Sequence, residues 1–310
     1  MDVSYPSAPL FLLYNPELVE GMLRPIFKFA RSGAWENDFA PHDAGRYPFV
    51  TGQVYAHMRP DRQMPVEECG NMLIMTAAVA VAEGTPVFAE EYMDLLEEWE
   101  TYLERYGRDP ENQLCTDDFA GHMAHNCNLS VKAVMGITAL SVLYRMLDRV
   151  DEADEKLALA REMAADVLAR AANGDGSLRL AYDREGSYSM KYNMVWDRLW
   201  NTGVFDPAAV RSEVRSYFGR FNRYGMPLDG RAAYTKSDWL VWTATMCRTR
   251  AEFEAFVAPL WLAYHESASR VPMTDWYDTE TAAQCGFQHR TVQGGLFVRL
   301  LEASGKMRLN

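Results

Sequence analysis

Helical segments of two kinds alternate along this chain, and this alternation most constrains its fold. Some segments are apolar around their whole circumference, whereas their neighbours carry charge on one face only. A helix that is apolar all round is buried, and an amphipathic helix lies at the surface. The sequence therefore predicts an all-α protein with concentric helical layers rather than a bundle. The ten predicted helices cover residues 15–31, 65–83, 86–106, 117–147, 150–172, 191–201, 207–222, 237–247, 250–266 and 290–303.

The most apolar helices begin near residues 66, 117, 191, 237 and 290. This repeat of roughly 45 to 75 residues is typical of a barrel in which each helical hairpin gives one inner and one outer helix. No low-complexity linker divides the chain, so we predict a single α/α-barrel domain over residues 1–310, with one short strand at 178–182. If the inner helices run in the same direction, the polar residues at their starts line an acidic cleft at one mouth of the barrel.

The charge and the cysteines exclude several classes of protein. The formal net charge is −12, and nucleic acids and anionic membranes repel such a surface, so neither is an expected partner. The longest apolar stretch, at 73–82, is about half as long as a membrane span requires. The first residues lack the basic segment of a signal peptide, and five widely spaced cysteines fit free thiols. We therefore expect a soluble cytoplasmic protein.

Carboxylates at the starts of the inner helices are the leading catalytic candidates. Glu67, Glu68, Asp117 and Asp118 fall in the expected first turns of two such helices. A structural role is the alternative, because acids in a first turn complement the helix dipole. Glu67 shares a helix face with Asn71, whereas Glu68 aligns with Met72, so that one acid can face the mouth while the other caps the helix. Convergent carboxylates suit hydrolysis in which one is protonated and another activates water.

The start of the helix predicted at 237–247 has two interpretations. Lys236 and Ser237 are a potential amine-activated nucleophile. We favour Ser237 as a helix cap beside an ionic cluster of Lys236 and Asp238. The nearby aromatic residues either belong to the core or form a wall on which a substrate stacks. These aromatic residues are Trp239, Trp276 and Tyr277.

Asp118, His122 and His125 share one face of the helix predicted at 117–147, which is a possible metal-binding pattern. Histidines inside an apolar helix are more often hydrogen-bonded structural groups, and we expect no metal. No phosphate-binding glycine loop or dinucleotide fingerprint occurs, so we also expect no cofactor.

Several longer stretches resemble the signature sequences of the glutaminase A family. They occur in the family's order from about residue 2 to about residue 300, and MPVEECGNMLIM is specific on its own. The stretches are SYPSAPLFL (4–12), APHDAGRYP (40–48), MPVEECGNMLIM (64–75), LCTDDFAG (114–121), GMPLDGR (225–231), YTKSDW (234–239) and TDWYDT (274–279).

The resemblance implies an (α/α)6 toroid like that of the six-hairpin glycosidases, preceded in the family by a β-rich region. Ten predicted helices are two fewer than this toroid requires. We therefore expect a barrel that is incomplete at its N-terminus, by about one hairpin, and that lacks the β-rich region. The β-rich region is a possible missing partner module. Fungal members of the family are secreted, so we expect secretion of this protein if its natural N-terminus is missing.

The resemblance also implies hydrolysis of the side-chain amide of glutamine. In this hypothesis Glu67 or Asp118 activates water, and another carboxylate is protonated to assist the departure of ammonia. The remaining candidates, chosen because they lie at the expected mouth within the matching stretches, bind the small-molecule substrate. Asn71 and Lys236 orient it or stabilise the oxyanion, and Asp275 and Asp278 hold its α-ammonium group. The other binding candidates are His42, Asp43, Asp238, Trp239 and Tyr277.

Two other functions remain open on the sequence. One is an inverting glycoside hydrolase on the same barrel, which requires two carboxyl groups about 6.5–9.5 Å apart in an aromatic cleft. The other is a catalytically silent binding domain, which an open, incomplete barrel would favour.

Overall fold

A computed structural model of the protein describes residues 1–115 and 121–309, and α-helices dominate it. Twelve α-helices occur in this part of the chain. They are α1 (Ser4–Tyr14), α2 (Glu17–Ala30), α3 (Pro65–Glu83), α4 (Val87–Glu90), α5 (Met93–Tyr106), α6 (Cys127–Met146), α7 (Val150–Arg170), α8 (Val195–Trp200), α9 (Pro207–Tyr217), α10 (Ser237–Thr245), α11 (Arg250–Glu266) and α12 (Val298–Ser304).

Six inner elements form a closed ring. Four are the helices α1, α3, α6 and α10, and two contain 3₁₀ helices, at Tyr192–Met194 (continued by α8) and Thr291–Phe297. Each packs against the next around the ring, and α1 closes it by packing against both Thr291–Phe297 and α3. The fold is therefore the expected toroid of six helical hairpins.

The expectation of ten helices and a missing hairpin is wrong, because α1 supplies an inner position that the sequence pattern did not reveal. The sequence SYPSAPLFLLY contains two prolines and no charged residue, and it therefore does not resemble an amphipathic helix. Pro6 falls in the first turn, where its missing N–H costs no hydrogen bond. Pro9 lies inside the helix, and six of the eleven residues of α1, including both prolines, are buried in the ring. The packing of α1 therefore outweighs its low helix propensity.

The remaining α-helices form the outer layer. The helix α2 packs on α1 and α3, α5 on α3 and α6, α7 on α6, α11 on α10, and α12 on α1 and α10. In the outer helix α9, the Tyr217 hydroxyl donates a hydrogen bond to the carbonyl of Ser189 (3.2 Å) and accepts one from the amide of Lys191 (2.9 Å). This contact holds α9 against the inner turn at Tyr192–Met194.

The inner helices α3 and α6 pack closely against each other. A methyl group at Gly70 would lie 2.4 Å from the side chain of Lys132, so only glycine lets α6 approach this far. Pro65 occupies the first turn of α3, and Gly84 ends it with a left-handed backbone (φ 71°). The side chain of Asn126 accepts hydrogen bonds from the amides of Asn128 and Leu129 and so caps the start of α6.

Several predicted boundaries differ from the structure. The helix predicted at 117–147 begins only at Cys127, where Asn126 provides the cap. The helix predicted at 86–106 is divided into α4 and α5. The strand predicted at 178–182 makes only isolated bridges. A two-stranded antiparallel sheet joins β1 (Tyr234–Lys236) to β2 (Trp276–Asp278), with Thr235 opposite Tyr277.

The five cysteines form no disulfide, as the sequence predicts. The helix α6 is long and apolar enough to cross a membrane, but all of its apolar window is buried by neighbouring helices. Burial within the ring accounts for its composition.

Candidate functional site

A cavity of about 740 Å³ opens at one end of the ring. Residues that precede four inner elements line it: Asp2 before α1, Met64 before α3, Leu114 and His122 before α6, and Arg290 before Thr291–Phe297. The starts of these inner elements therefore surround one cavity, as the layered interpretation implies. The loop between α2 and α3 and the segment before Arg290 complete the wall, with His42, Asp43, Tyr55, Ala56, Arg62 and Phe287.

His42 lies between two carboxylates at the edge of this cavity. Its Nδ1 is 3.2 Å from Asp43 Oδ2, and its Nε2 is 3.5 Å from Asp2 Oδ1. Burial opposes a charge on the imidazole, but the hydrogen bonds to Asp2 and Asp43 outweigh it and raise the pKa of His42 to about 10. His42 is therefore a cation at neutral pH.

The two partners of His42 are ionised. Burial would raise the pKa of Asp2, but the hydrogen bond with His42 outweighs this effect and lowers it well below its ordinary value. The pKa of Asp43 is lowered in the same way, with further help from the backbone amides of Val54 and Tyr55. Asp43 also accepts a hydrogen bond from Gly45, so it orders the loop as well as the histidine.

Glu68 lies behind this cluster and is completely buried. Its Oε2 accepts a hydrogen bond from Nδ2 of Asn71 (3.0 Å), and burial raises the pKa of its carboxyl group. One atom each of Asp2, His42 and Glu68 lie within 4.8 Å of one another, which is a spacing that a metal ion could bridge. The arrangement places an ionised carboxylate and a carboxyl group with a raised pKa beside the His42 cation, and the Met1 ammonium lies 3.7 Å from Glu68 Oε1.

Glu67 points into the ring. Its Oε1 lies 3.0 Å from Nζ of Lys132, and Lys132 also donates a hydrogen bond to Asn71. Lys132 Nζ lies 3.2 Å from the centre of the Tyr5 ring. Sequence reasoning missed Lys132, although it is the one charged residue between positions 127 and 144, and a lone charge in a buried helix requires a partner.

Lys236, Asp238, Asp275 and Arg290 form a second charged network, which extends from the buried start of α10 to the cavity. Lys236 Nζ is 3.0 Å from Asp238 Oδ2 and 3.1 Å from Asp275 Oδ2. Arg290 donates to both oxygens of Asp275, with its Nε 3.2 Å from Oδ1. Burial would raise the pKa of Asp275, but Arg290 and Lys236 together lower it, whereas burial raises the pKa of Asp238. The network fixes Arg290 at the cavity wall.

Other candidates lie away from the described cavity wall. Trp239 is fully buried and stacks on Tyr192 at 3.9 Å between ring centres, and Tyr277 is buried with its hydroxyl donating to the carbonyl of Tyr224. These two residues belong to the core. Asp278 accepts hydrogen bonds from the amides of Glu280 and Thr281 and so shapes a turn.

The histidines predicted to share a helix face lie in a non-helical segment before α6. His122 Nε2 lies 2.9 Å from the carbonyl oxygen of Asp61, and His125 Nδ1 lies 2.7 Å from Asp109 Oδ1. Asp117 and Asp118 lie outside the described residues. The two histidines therefore have separate partners.

The chain is similar in sequence to two fungal proteins named as glutaminases. The chain is 32% identical to glutaminase A of Aspergillus oryzae over 308 residues and 26% identical to a probable glutaminase of Arthroderma benhamiae over 389 residues. Each alignment covers 97% of this chain and 44% of the relative, so the chain spans less than half the length of these two proteins.

Among solved structures, the GH76A alpha-1,6-mannanase of Salegentibacter sp. HEL1_6 matches with a TM-score of 0.46 and 12% identity. This match covers 98% of our chain and 89% of the mannanase. The pattern of the glutaminase A six helical-hairpin domain matches residues 1–300. The chain therefore belongs to the glutaminase A six helical-hairpin domain family.

Proposed function

We propose that this chain is a hydrolase that cleaves the side-chain amide of glutamine in the cavity at the starts of the inner helices. The observation that carries the proposal is the joint presence of Asp2, His42, Asp43 and Arg290 on one cavity wall. Glutamine carries both charges and an uncharged amide, and such a substrate needs both signs of charge around it. The names of the relatives support the same substrate.

Arg290 is the proposed partner of the α-carboxylate of glutamine. A guanidinium binds a carboxylate through charge-assisted hydrogen bonds, and Arg290 is held by Asp275 at a fixed place on the wall. Arg62 lines the same cavity and adds positive charge. Asp43 is ionised and offers a countercharge to the α-ammonium group.

Asp2 is the proposed general base. Its carboxylate is ionised and about a quarter exposed, so it can hold a water molecule against the amide carbon. As water attacks, Asp2 takes its proton, and the oxyanion accepts a hydrogen bond from the His42 cation. Asp2 then gives the proton to the nitrogen, the C–N bond breaks, and glutamate and ammonia leave. Glu68 and Asn71 support the cluster from behind.

The test is release of ammonia and glutamate from glutamine by the purified chain. We expect Asp2→Asn to lower kcat by about 10²-fold or more, because a general base contributes on this scale. Asp183→Asn removes an exposed carboxylate elsewhere and serves as the matched control. Absence of glutamate formation, or equal activity in the two variants, would contradict the proposal.

A saccharide is the second candidate substrate. Tyr55 lines the cavity and is largely exposed, and Phe287 lines it and is about half exposed, so their rings can stack on a sugar. The spacing of Asp2 and Glu68, with oxygen atoms within 4.8 Å, is shorter than the roughly 6.5–9.5 Å of an inverting pair. Oligosaccharides tested with the same preparation distinguish the two substrates, since release of reducing sugar without ammonia favours glycoside hydrolysis.

A further inference from the structure

A second cavity, of about 460 Å³, lies at the C-terminal ends of α8 and α10. Asn201 and Met246, which directly follow these helices, line it together with the start of α9. The first cavity lies at the other end of the ring, near the network at the start of α10. Since α10 has nine residues, its length separates the two ends by about 14 Å.

The floor of this second cavity is apolar, and its rim is basic. Met194, Phe205 and Met246 are almost completely buried and form the floor. Arg211 and Arg248 lie on the rim and are exposed. An apolar floor with a few polar groups at its edge is the usual composition of a small-molecule site.

The acidic groups near this rim are already engaged. Asp197 lines the cavity, but its carboxylate accepts hydrogen bonds from Thr202, Val204 and Phe205. Glu252 accepts the amide hydrogens of Arg248 and Thr249 and so caps α11.

Arg198 also lines the cavity, and its guanidinium pairs with Glu302. The side chains of Arg211 and Arg248 have no ion-pair partner among the described residues. In a chain with a net charge of −12, two arginines that line one cavity without an ion-pair partner among the described residues attract an anion locally.

We propose that this second cavity binds a small organic anion that has an apolar body. Arg211 and Arg248 hold the anionic group, and Met194, Phe205 and Met246 cover the apolar part. Guanidinium groups bind carboxylates with charge-assisted hydrogen bonds, and the cavity beside them leaves room for an apolar body. The site is separate from the proposed glutamine cavity, and its occupation does not require Arg290.

Isothermal titration calorimetry with phenylbutyrate tests this site, because the probe has one carboxylate and an apolar ring. Phenylbutanol, which lacks the charge, and acetate, which lacks the ring, are the matched ligands. We expect binding of phenylbutyrate in the millimolar range or tighter, and much weaker binding of the other two. Absence of phenylbutyrate binding, or equal binding of phenylbutanol, overturns the proposal.

Variants then locate the binding. Arg211→Gln with Arg248→Gln should weaken phenylbutyrate binding about tenfold or more. Arg184→Gln with Arg308→Gln removes the same charge from exposed positions outside the cavity and should leave the affinity unchanged. Arg290→Gln should also leave it unchanged. Loss of binding in the Arg290 variant, or retention in the Arg211 and Arg248 double variant, places the anion elsewhere and overturns the proposal.

Discussion

Nζ of Lys132 lies 3.0 Å from Oε1 of Glu67, and both side chains are shielded from solvent between α3 and α6. Their contact explains why a motif rich in acids stands at the start of an inner helix. Glu67 neutralises a lysine inside the ring, while Glu68, the next residue, faces the His42 cluster. Because adjacent helical residues point about 100° apart, two neighbouring glutamates serve two different environments.

Lys132→Met should destabilise the protein strongly. The substitution leaves the buried carboxylate of Glu67 without its lysine, and removal of one partner from a buried ion pair costs about 3–5 kcal/mol. Urea denaturation measures the change in the free energy of unfolding. Lys28→Met removes an exposed lysine and is the control. Equal effects of the two substitutions would show that the buried pair is not important for stability.

The closing contact of the ring gives a second prediction. A methyl group at Gly294 would lie 2.5 Å from the carbonyl oxygen of Ser7, so Gly294→Ala must push α1 away from its neighbour. We expect a loss of about 1–3 kcal/mol in the free energy of unfolding. Gly21→Ala, in α2, meets no atom within 4 Å and should stabilise the helix by up to about 1 kcal/mol. Thermal or urea unfolding of both variants checks the contrast, which equal changes would contradict.

The sequence predicts the layers of this fold better than its closure. Alternating apolar and amphipathic segments identify the inner helices α3, α6 and α10, because burial of a whole helix leaves a compositional trace. The helix α1 is also uncharged, but Pro6 and Pro9 make its sequence look non-helical. Because the sequence pattern did not reveal α1, the barrel was predicted to lack one hairpin.

The site was predictable only where its residues lie in recognisable stretches. His42 and Asp43 are adjacent in sequence and line the cavity. Asp2 was missed because its position depends on α1, and the pairing of Arg290 with Asp275 depends on how the loop between them folds. The residue types at the starts of the inner helices indicate which side chains lie at one end of the barrel. Which side chains of separate loops come into contact there can be seen only in the tertiary structure.

His42 should make the stability depend on pH in a defined direction. Its pKa is about 10 in the folded protein and about 6.5 in an unfolded chain, so the folded state binds its proton more tightly. The stabilisation is complete below about pH 6.5 and is lost as the pH rises towards 10, which amounts to a few kcal/mol.

His42→Gln is the reference for this measurement, since it lacks the titrating group. The difference in the free energy of unfolding between the wild type and the variant should shrink from pH 6.5 to pH 10. Urea denaturation at several pH values measures it, and the subtraction removes the titration of groups that do not interact with His42. A difference that stays constant with pH is incompatible with a buried imidazolium held by Asp2 and Asp43.

Arg290 allows a test that depends on the chemistry of the substrate. If its guanidinium binds the α-carboxylate of glutamine, Arg290→Gln should raise KM about tenfold or more and change kcat little. The decarboxylated analogue of glutamine keeps the amide and the ammonium group but has no carboxylate for Arg290 to bind. The variant should therefore process this analogue as the wild type does, because the missing contact affects only substrates that carry the carboxylate.

The alternative is that the substitution merely disturbs the cavity by releasing Asp275 from its bidentate pair. In that case hydrolysis of both substrates should be impaired equally. Steady-state kinetics of ammonia release with the two compounds distinguishes recognition of the carboxylate by Arg290 from a purely structural role.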